Sequence, residues 1–332
     1  MFVSVVIPVR DAAKYLPTCL DQLLQQDYPH EQMEVIIVEA RSCDATVEVA
    51  KSHPLEKIAR KVLICPESGR SHGLNMGIRA AAGGAICRLD ARTRIPHDYI
   101  STCVRTLAET GAANVGGLQV PEGNTPAQIG IGLAMSHPFG VGNAQFRLAK
   151  SDCYVDTVYL GFFRRDIFDK VGWFDERPNV ISEDSDLNQR ICAAGEKIYL
   201  IARLRVGYEP RASLRDQFIL YFRYGMARAG NTLKHRNITS WRQLAAPGLV
   251  FVAMALVLAA WWLPVARLVL LGLGAFYLAI DILVAFQLAW QARRPAVLPY
   301  LLAAFPCMHW SYGLGFWFVM LVPNRAKKET TS

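Results

Sequence analysis

FVSVVIPVRDAAKYLPTCLDQLLQQDYPHEQMEVIIVEARSCDAT, residues 2–46, decides the fold class. VSVVIP is a short β-branched run of the kind that fits a pleated sheet. From Asp11 to Gln26, the residues Tyr15, Leu16, Leu20, Leu23 and Leu24 recur at helical intervals. MEVIIVE is then a continuous apolar run of strand length, read as a strand buried on both faces. Outward from this unit the alternation continues. A helix is expected from Asp44 to about Ser52, a strand at KVLIC, a helix from Ser71 to Ala82, and a fourth strand at AICRL. Apolar strands alternating with helices over the first 120 residues predict an α/β unit with a parallel sheet covered on both faces. Ligands of such sheets sit outside the carboxyl ends of the strands. Pro8, Glu39, Cys65 and Asp90 stand directly at those ends.

The chain has 332 residues, of which 52% are hydrophobic and 19% charged, an apolar excess for a soluble domain. The excess is concentrated near the C-terminus. From Pro247 to Trp290 the only charged residues are Arg267 and Asp281, and the apolar run resumes from Val297 to Val322. Three stretches, 247–264, 268–290 and 297–322, each approach the ~20 residues of a membrane-crossing helix. The third contains Pro299, Pro306, His309, Gly313 and Gly315, so it reads either as a Pro-kinked span or as a re-entrant, broken one. The formal net charge is +8, and nine Lys or Arg lie between Arg203 and Arg242 against Glu209 and Asp216. A basic segment abutting apolar runs fits the cytosolic face of a membrane and its anionic lipids, and it matches no nucleic-acid motif. No leader pattern precedes the first strand, so the domain is expected in the cytosol. Eight cysteines form no C-x-x-C pair and no cluster with His, which points away from zinc and from a disulfide framework.

The region 116–146, with GGLQVPEGNTP and HPFGVGN, is rich in Gly, Pro and Asn and reads as loops over the site. A second acidic cluster follows in SEDSD. Ser182 fits a helix N-cap, with Glu183, Asp184 and Asp186 in the first turn and Gly195 as the stop. Capping alone accounts for acids at a positive helix end, so the cluster is either structural or catalytic.

The order of several motifs carries a resemblance. SVVIPVRDAAKYLPTCLDQLLQQDYP, EVIIVEARSCDAT, GRSHGLNMGIRAAAGGAICRLDART, HPFGVGNAQFR, VDTVYLGFFRRDIFDKVGWFDE, SEDSDLNQRICAAG and YFRYG follow one another along nearly the whole chain. Together they resemble glycosyltransferase family 2, and within it the membrane glucosyltransferases of succinoglycan-type exopolysaccharide synthesis. The resemblance implies a GT-A nucleotide-sugar-binding fold, with a Rossmann-like, mostly parallel sheet, followed by C-terminal transmembrane helices. It implies a cytosolic catalytic domain over 1–210, basic amphipathic interfacial helices over 211–246, a membrane region over 247–323 and a polar tail over 324–332. The protein is then expected in the inner (plasma) membrane, with its catalytic domain facing the cytoplasm.

The same resemblance assigns residues. Pro8, Val9 and Arg10 line the base and ribose pocket, and Glu39 accepts from the uracil ring. Arg41 is a departure from the family at the turn and is placed to reach a phosphate, and Arg70 and Asn75 match the Gly-Arg … Asn stretch near the nucleotide. Asp90 matches the first Asp of the Asp-x-Asp motif, and Asp184, beside Glu183, matches the catalytic base. Arg223 matches the arginine of the Gln-x-x-Arg-Trp motif near donor diphosphate and acceptor, and Glu183 is assigned with it to the acceptor and diphosphate. Two departures stand out: Leu220 and Tyr224 replace the Gln and Trp of that motif, and Arg92 replaces the second Asp of Asp-x-Asp. A guanidinium cannot ligate a metal. Either Asp90 holds a Mg²⁺ or Mn²⁺ with substrate oxygens and water, or Arg92 itself pairs with the diphosphate. A third role for Arg92 is a solvated one, paired with an acid such as Asp98.

The implied function is inverting transfer of a hexose from a UDP-sugar to a lipid-linked, polyprenyl diphosphate saccharide in exopolysaccharide synthesis. The chemistry agrees: Asp184 supplies the base for the acceptor hydroxyl, and positive charge meets the leaving diphosphate. Two rivals remain, direct transfer to polyprenyl phosphate and a non-catalytic, membrane-anchored nucleotide-binding protein.

Overall fold

A computed structural model describes residues 1–55, 57–67, 69–177, 182–235 and 241–322. The tail expected at 324–332 lies outside the described residues. Two compact units are present, one of 1–120 with 145–208 and one of 121–144 with 209–332.

The first unit opens with β1 (Val3–Val9), α1 (Leu16–Leu24), β2 (Met33–Glu39), α2 (Thr46–Ser52), β3 (Ala59–Ile64), α3 (Arg70–Ala80) and β4 (Ala85–Arg88). It continues with α4 (Tyr99–Thr110) and β5 (Asn114–Pro121). The chain then builds α5 (Pro126–Met135) and α6 (Pro138–Val141) of the second unit before α7 (Gln145–Leu148) and β6 (Cys153–Val155). The first unit closes with β7 (Tyr159–Arg164), α8 (Ile167–Val171), α9 (Glu183–Ala193) and β8 (Ile198–Tyr208).

The eight strands form one sheet in the order β3-β2-β1-β4-β7-β5-β8-β6. β1 runs parallel to β2 and β4, and β2 parallel to β3. β7 is antiparallel to β4 and β5, and β6 to β8. The parallel half is the one read directly from the sequence, because strands buried on both faces are unbroken apolar runs. The antiparallel half is harder to read because glycines interrupt it. A Cβ at Gly117 would lie 2.2 Å from the Leu204 carbonyl oxygen, so β5 needs glycine where β8 crosses close.

Successive residues of β1 feed the two faces, as strand geometry requires. Val5 and Ile7 pack with Leu16, Leu20 and Tyr99, and Val6 packs with Leu74, Ile78 and Phe163 on the other side. α3 lies unusually close to the sheet. A Cβ on Gly77 would sit 2.5 Å from Val6 Cγ1, so only glycine lets the helix approach there. That approach, with the parallel connection, sets the α3 N-terminus at the carboxyl ends of β1 and β4.

Region 116–146 is not a set of loops: it contains part of β5 and three helices. Thr125 makes a capping box with Gln128 at the start of α5, an N-terminal signal that the Gly and Pro content had masked. Residues 121–144 accordingly belong to the second unit, and beyond the end of β5 at Pro121 they lie outside the sheet.

The second unit adds α10 (Leu214–His235), α11 (Ala245–Ala259), α12 (Pro264–Gln291) and α13 (Leu298–Leu321). Among the described residues α12 alone is long and apolar enough to cross a membrane. The three apolar stretches are therefore not equivalent. α11 has 15 residues and spans about 22 Å, short of a ~30 Å hydrocarbon core. α13 runs unbroken with Pro306 inside it, which is not the broken form weighed from the sequence. Beyond the proline it packs closely on α10. A Cβ at Gly225 would lie 2.0 Å from Tyr312 O, and one at Gly315 would lie 2.0 Å from Phe222 O, so α10 and α13 touch backbone to backbone.

Candidate active site

The loops that follow β1 and β2 brace each other. Asp11 N donates to Ser42 Oγ at 3.0 Å, and Cys43 N donates to Asp11 Oδ1 at 2.8 Å. Ala12 N donates to Thr46 Oγ1 at 2.8 Å, and Ala13 N to Asp44 Oδ2 at 3.1 Å. Asp11 and Arg41 hold φ of 48° and 57°, left-handed backbone that non-glycine residues seldom adopt unless their surroundings hold it. Pro8 is half-buried and Val9 buried at this edge, while Arg10 and Arg41 are exposed. Glu39 is buried, and its carboxylate accepts from Ser42 N, so it shapes the turn that carries Arg41.

Beside these loops a charged cluster joins three elements. Arg70, the first residue of α3, places Nη2 2.5 Å from Asp90 Oδ1 and Nη1 3.7 Å from Glu183 Oε1. Arg88, the last residue of β4, places Nη2 3.2 Å from Glu183 Oε1 and Nη1 3.7 Å from Asp184 Oδ2. Glu183 and Asp184 open α9. Ser182 precedes them at the N-cap position, but its side chain makes no capping bond. The acids of this turn divide by role. Asp186 is 1% exposed and pairs with Arg190 at 3.0 Å. Arg190 also donates to the carbonyls of Val171, Gly172 and Trp173, so that pair anchors the chain. Asp184, by contrast, leaves its side chain 40% exposed.

Electrostatics separate the two neighbouring carboxyls at the cluster's base. Burial works to raise the Asp90 carboxyl, but the Arg70 and Arg88 guanidiniums outweigh it and hold it below the ordinary range. Burial pushes Glu183 up, and Asp184 adds to that, against the pull of Arg88 and Arg70. The same acids hold Arg70 firmly charged despite its desolvation.

Sequence reading missed Arg88. It lies two residues before Asp90 in a strand otherwise apolar, and its signal was a lone charge in a run expected to be wholly buried. The other assigned residues fall elsewhere. The Asn75 amide is taken up by the chain around Phe174: Nδ2 donates to Phe174 O at 2.9 Å and Glu176 Oε1 at 2.7 Å, while Phe174 N donates to Oδ1 at 3.0 Å. The Arg92 guanidinium lies over the Tyr15 ring, 4.6 Å from its centroid, and makes no ion pair among the described residues. Asp98, weighed as its partner, pairs with Arg203 at 3.3 Å instead. Arg223 stands on α10, in the second unit.

The residues at Asp90 do not fit a metal held by the protein. Asp90 is the single carboxylate left of its motif and faces Arg70. No three His, Cys, Asp or Glu side chains converge as a ligand set among the described residues.

Within the second unit, His309 ties α6 to the long helices. Its Nε2 is 2.7 Å from Phe139 O, which can only accept, so Nε2 carries the proton and Nδ1 accepts from the Tyr277 hydroxyl at 2.8 Å.

Several known proteins are similar to this chain. The succinoglycan biosynthesis protein ExoA of Rhizobium meliloti (strain 1021) is 28% identical over 325 residues, 96% of this chain and 94% of that protein. A Methanococcus voltae enzyme, dolichyl N-acetyl-alpha-D-glucosaminyl phosphate 3-beta-D-2,3-diacetamido-2,3-dideoxy-beta-D-glucuronosyltransferase, is 26% identical, covering 94% of this chain and 95% of that one. The mannosyltransferase PcManGT of Pyrobaculum calidifontis, solved with GDP-Man and Mn²⁺, shares the fold. Its TM-score is 0.64 at 22% identity, over 93% of this chain and 87% of that one. Residues 4–172, just over half of the chain and spanning the strands and helices that carry Arg70, Arg88 and Asp90, match the profile described as glycosyl transferase family 2, and the chain belongs to that family.

Proposed function

We propose that this glycosyltransferase moves one hexose from a UDP-sugar to a saccharide carried on a polyprenyl diphosphate, inverting the anomeric centre, at the cytosolic face of the plasma membrane during exopolysaccharide assembly. The observation that carries the reading is the convergence of Arg70, Asp90, Glu183 and Asp184 in one ion-paired cluster at the carboxyl edge of the sheet. The acceptor hydroxyl gives its proton to the half-exposed Asp184 carboxylate as its oxygen bonds to the anomeric carbon. The bond from that carbon to the diphosphate oxygen breaks, and the nucleoside diphosphate leaves with the electron pair. Attack opposite the leaving group inverts the centre. Arg70, on the exposed side of the cluster, meets the charge that develops on the diphosphate. The braced loops with Pro8, Val9, Arg10, Glu39 and Arg41 are assigned to the nucleoside, with Asp90 ordering Arg70. Arg223 of the YFRYG motif is assigned to the acceptor diphosphate.

Support for a lipid-borne acceptor comes from two sides. The relatives' names place one in succinoglycan synthesis and the other on a dolichyl phosphate sugar. α12 exposes Leu271, Phe276, Leu283 and Trp290, as a helix facing lipid does. Membranes containing the protein, incubated with a panel of radiolabelled UDP-sugars and with GDP-mannose, test the reading by analysis of the lipid extract. Label from one UDP-sugar in a lipid-linked saccharide is expected. Label only from GDP-mannose overturns the donor assignment, and label only in a water-soluble product overturns the acceptor.

A further inference from the structure

Arg88 occupies an apolar strand. Ala85, Ile86, Cys87 and Leu89 are buried around it, and the arginine itself is 3% exposed. Taking a guanidinium out of water costs several kcal/mol, and an apolar pair of similar volume is often as stable as a buried ion pair. Compensation here is incomplete as well: Nε and Nη1 find no hydrogen-bond partner among the described residues. The Phe174 ring, 5.9 Å from the guanidinium carbon, adds a distant cation–π contact at most. Packing therefore does not account for an arginine at this position.

Its neighbours do. One planar group faces both consecutive carboxylates at the start of α9, Glu183 at 3.2 Å and Asp184 at 3.7 Å. Adjacent anions repel, and the turn that carries them lacks a side-chain cap. Arg70, also near Glu183, is 44% exposed and engaged with Asp90, so it is free to follow a ligand in a way that Arg88, locked in the sheet, is not.

We propose that Arg88 is a positioning residue for glycosyl transfer: from beneath the site it grips Glu183 and so aims the Asp184 carboxylate at the acceptor hydroxyl. The inference rests on Asp184 being the base. It predicts that the buried arginine is kept at the expense of stability.

The full chain in detergent micelles, as Arg88→Leu, Arg88→Lys and the double variant Arg88→Leu with Glu183→Leu, provides the test. Turnover is read with the labelled sugar that wild-type membranes transfer, and UDP affinity by calorimetry. Arg88→Leu is expected to lower kcat roughly 10²-fold, the scale of a misaimed catalytic group, with donor KM and UDP affinity changed by less than about threefold. Arg88→Lys keeps the charge without the planar fork and should recover turnover to within about tenfold of wild type. The double variant should be as inactive as the single one yet unfold at a temperature no lower than wild type. Turnover of folded Arg88→Leu within about threefold of wild type overturns the proposal, as does a double variant that unfolds well below wild type. If wild type transfers none of the sugars, the glycosyl-transfer reading fails by itself. The unfolding temperature of the double variant then still decides whether Arg88 serves the fold.

Discussion

Replacing Arg92 and Arg70 separately by alanine asks which guanidinium answers the missing second Asp of the motif. The Arg92 guanidinium lies 4.6 Å from the Tyr15 ring centroid and makes no ion pair among the described residues. An exposed cation–π contact is worth ~0.5–1 kcal/mol. If the whole of that were spent on the reaction, Arg92→Ala would slow transfer by about 2–5-fold, since 1.36 kcal/mol is tenfold in rate. Arg70 is different: it is held charged by Asp90 and Glu183 and is 44% exposed toward the carboxyl edge. Loss of one preorganised donor to a developing anion costs ~2.7–4 kcal/mol, so Arg70→Ala should slow transfer by about 10²–10³-fold. Single-turnover transfer of radiolabelled sugar, with enzyme in excess over donor, separates this chemical step from product release. A loss above about tenfold for Arg92→Ala, together with one below about fivefold for Arg70→Ala, would refute the reasoning and return the diphosphate contact to Arg92.

Asp184→Asn should lower turnover by roughly 10²-fold or more while calorimetric UDP affinity stays near wild type; retained turnover would favour a phosphate acceptor that needs no base. Asn75→Ala removes a buried amide with three hydrogen bonds and should lower stability by about 1–3 kcal/mol in urea unfolding, with little direct effect on nucleotide affinity. Asp90 has a lowered pKa when folded, so its ion pair stabilises the protein above the ordinary carboxylate pKa and loses that effect as pH falls through the lowered value. The stability gap between wild type and Asp90→Asn should therefore narrow below about pH 4, measured by urea titration at each pH. Excess EDTA should leave transfer within about twofold, because Asp90 faces Arg70 and lacks fellow ligands; abolition reversed by Mn²⁺ would show that the donor brings an ion to Asp90.

The sequence by itself determined the parallel half of the sheet, its helices and the carboxyl edge at which the charged cluster lies. Strands such as MEVIIVE are buried on both faces and so are written as unbroken apolar runs, and a doubly wound sheet presents its carboxyl ends whatever the loops do. Family motifs, read residue by residue, added Arg70, Asp90, Glu183 and Asp184, which the fold brings into one cluster. Composition misread the region 116–146, because the Gly and Pro that suggest loops there also sit within helices such as α5, whose start Thr125 and Gln128 cap. Only the tertiary structure decided which charges meet. Hydropathy marks Arg88 as an oddity in a strand, but its partners lie 95 and 96 positions away on α9, and only the register of β4 against β1 and β7 turns it toward them. The same holds for Arg92, two residues beyond Asp90: past the end of β4, its side chain stacks on Tyr15 instead of joining the cluster.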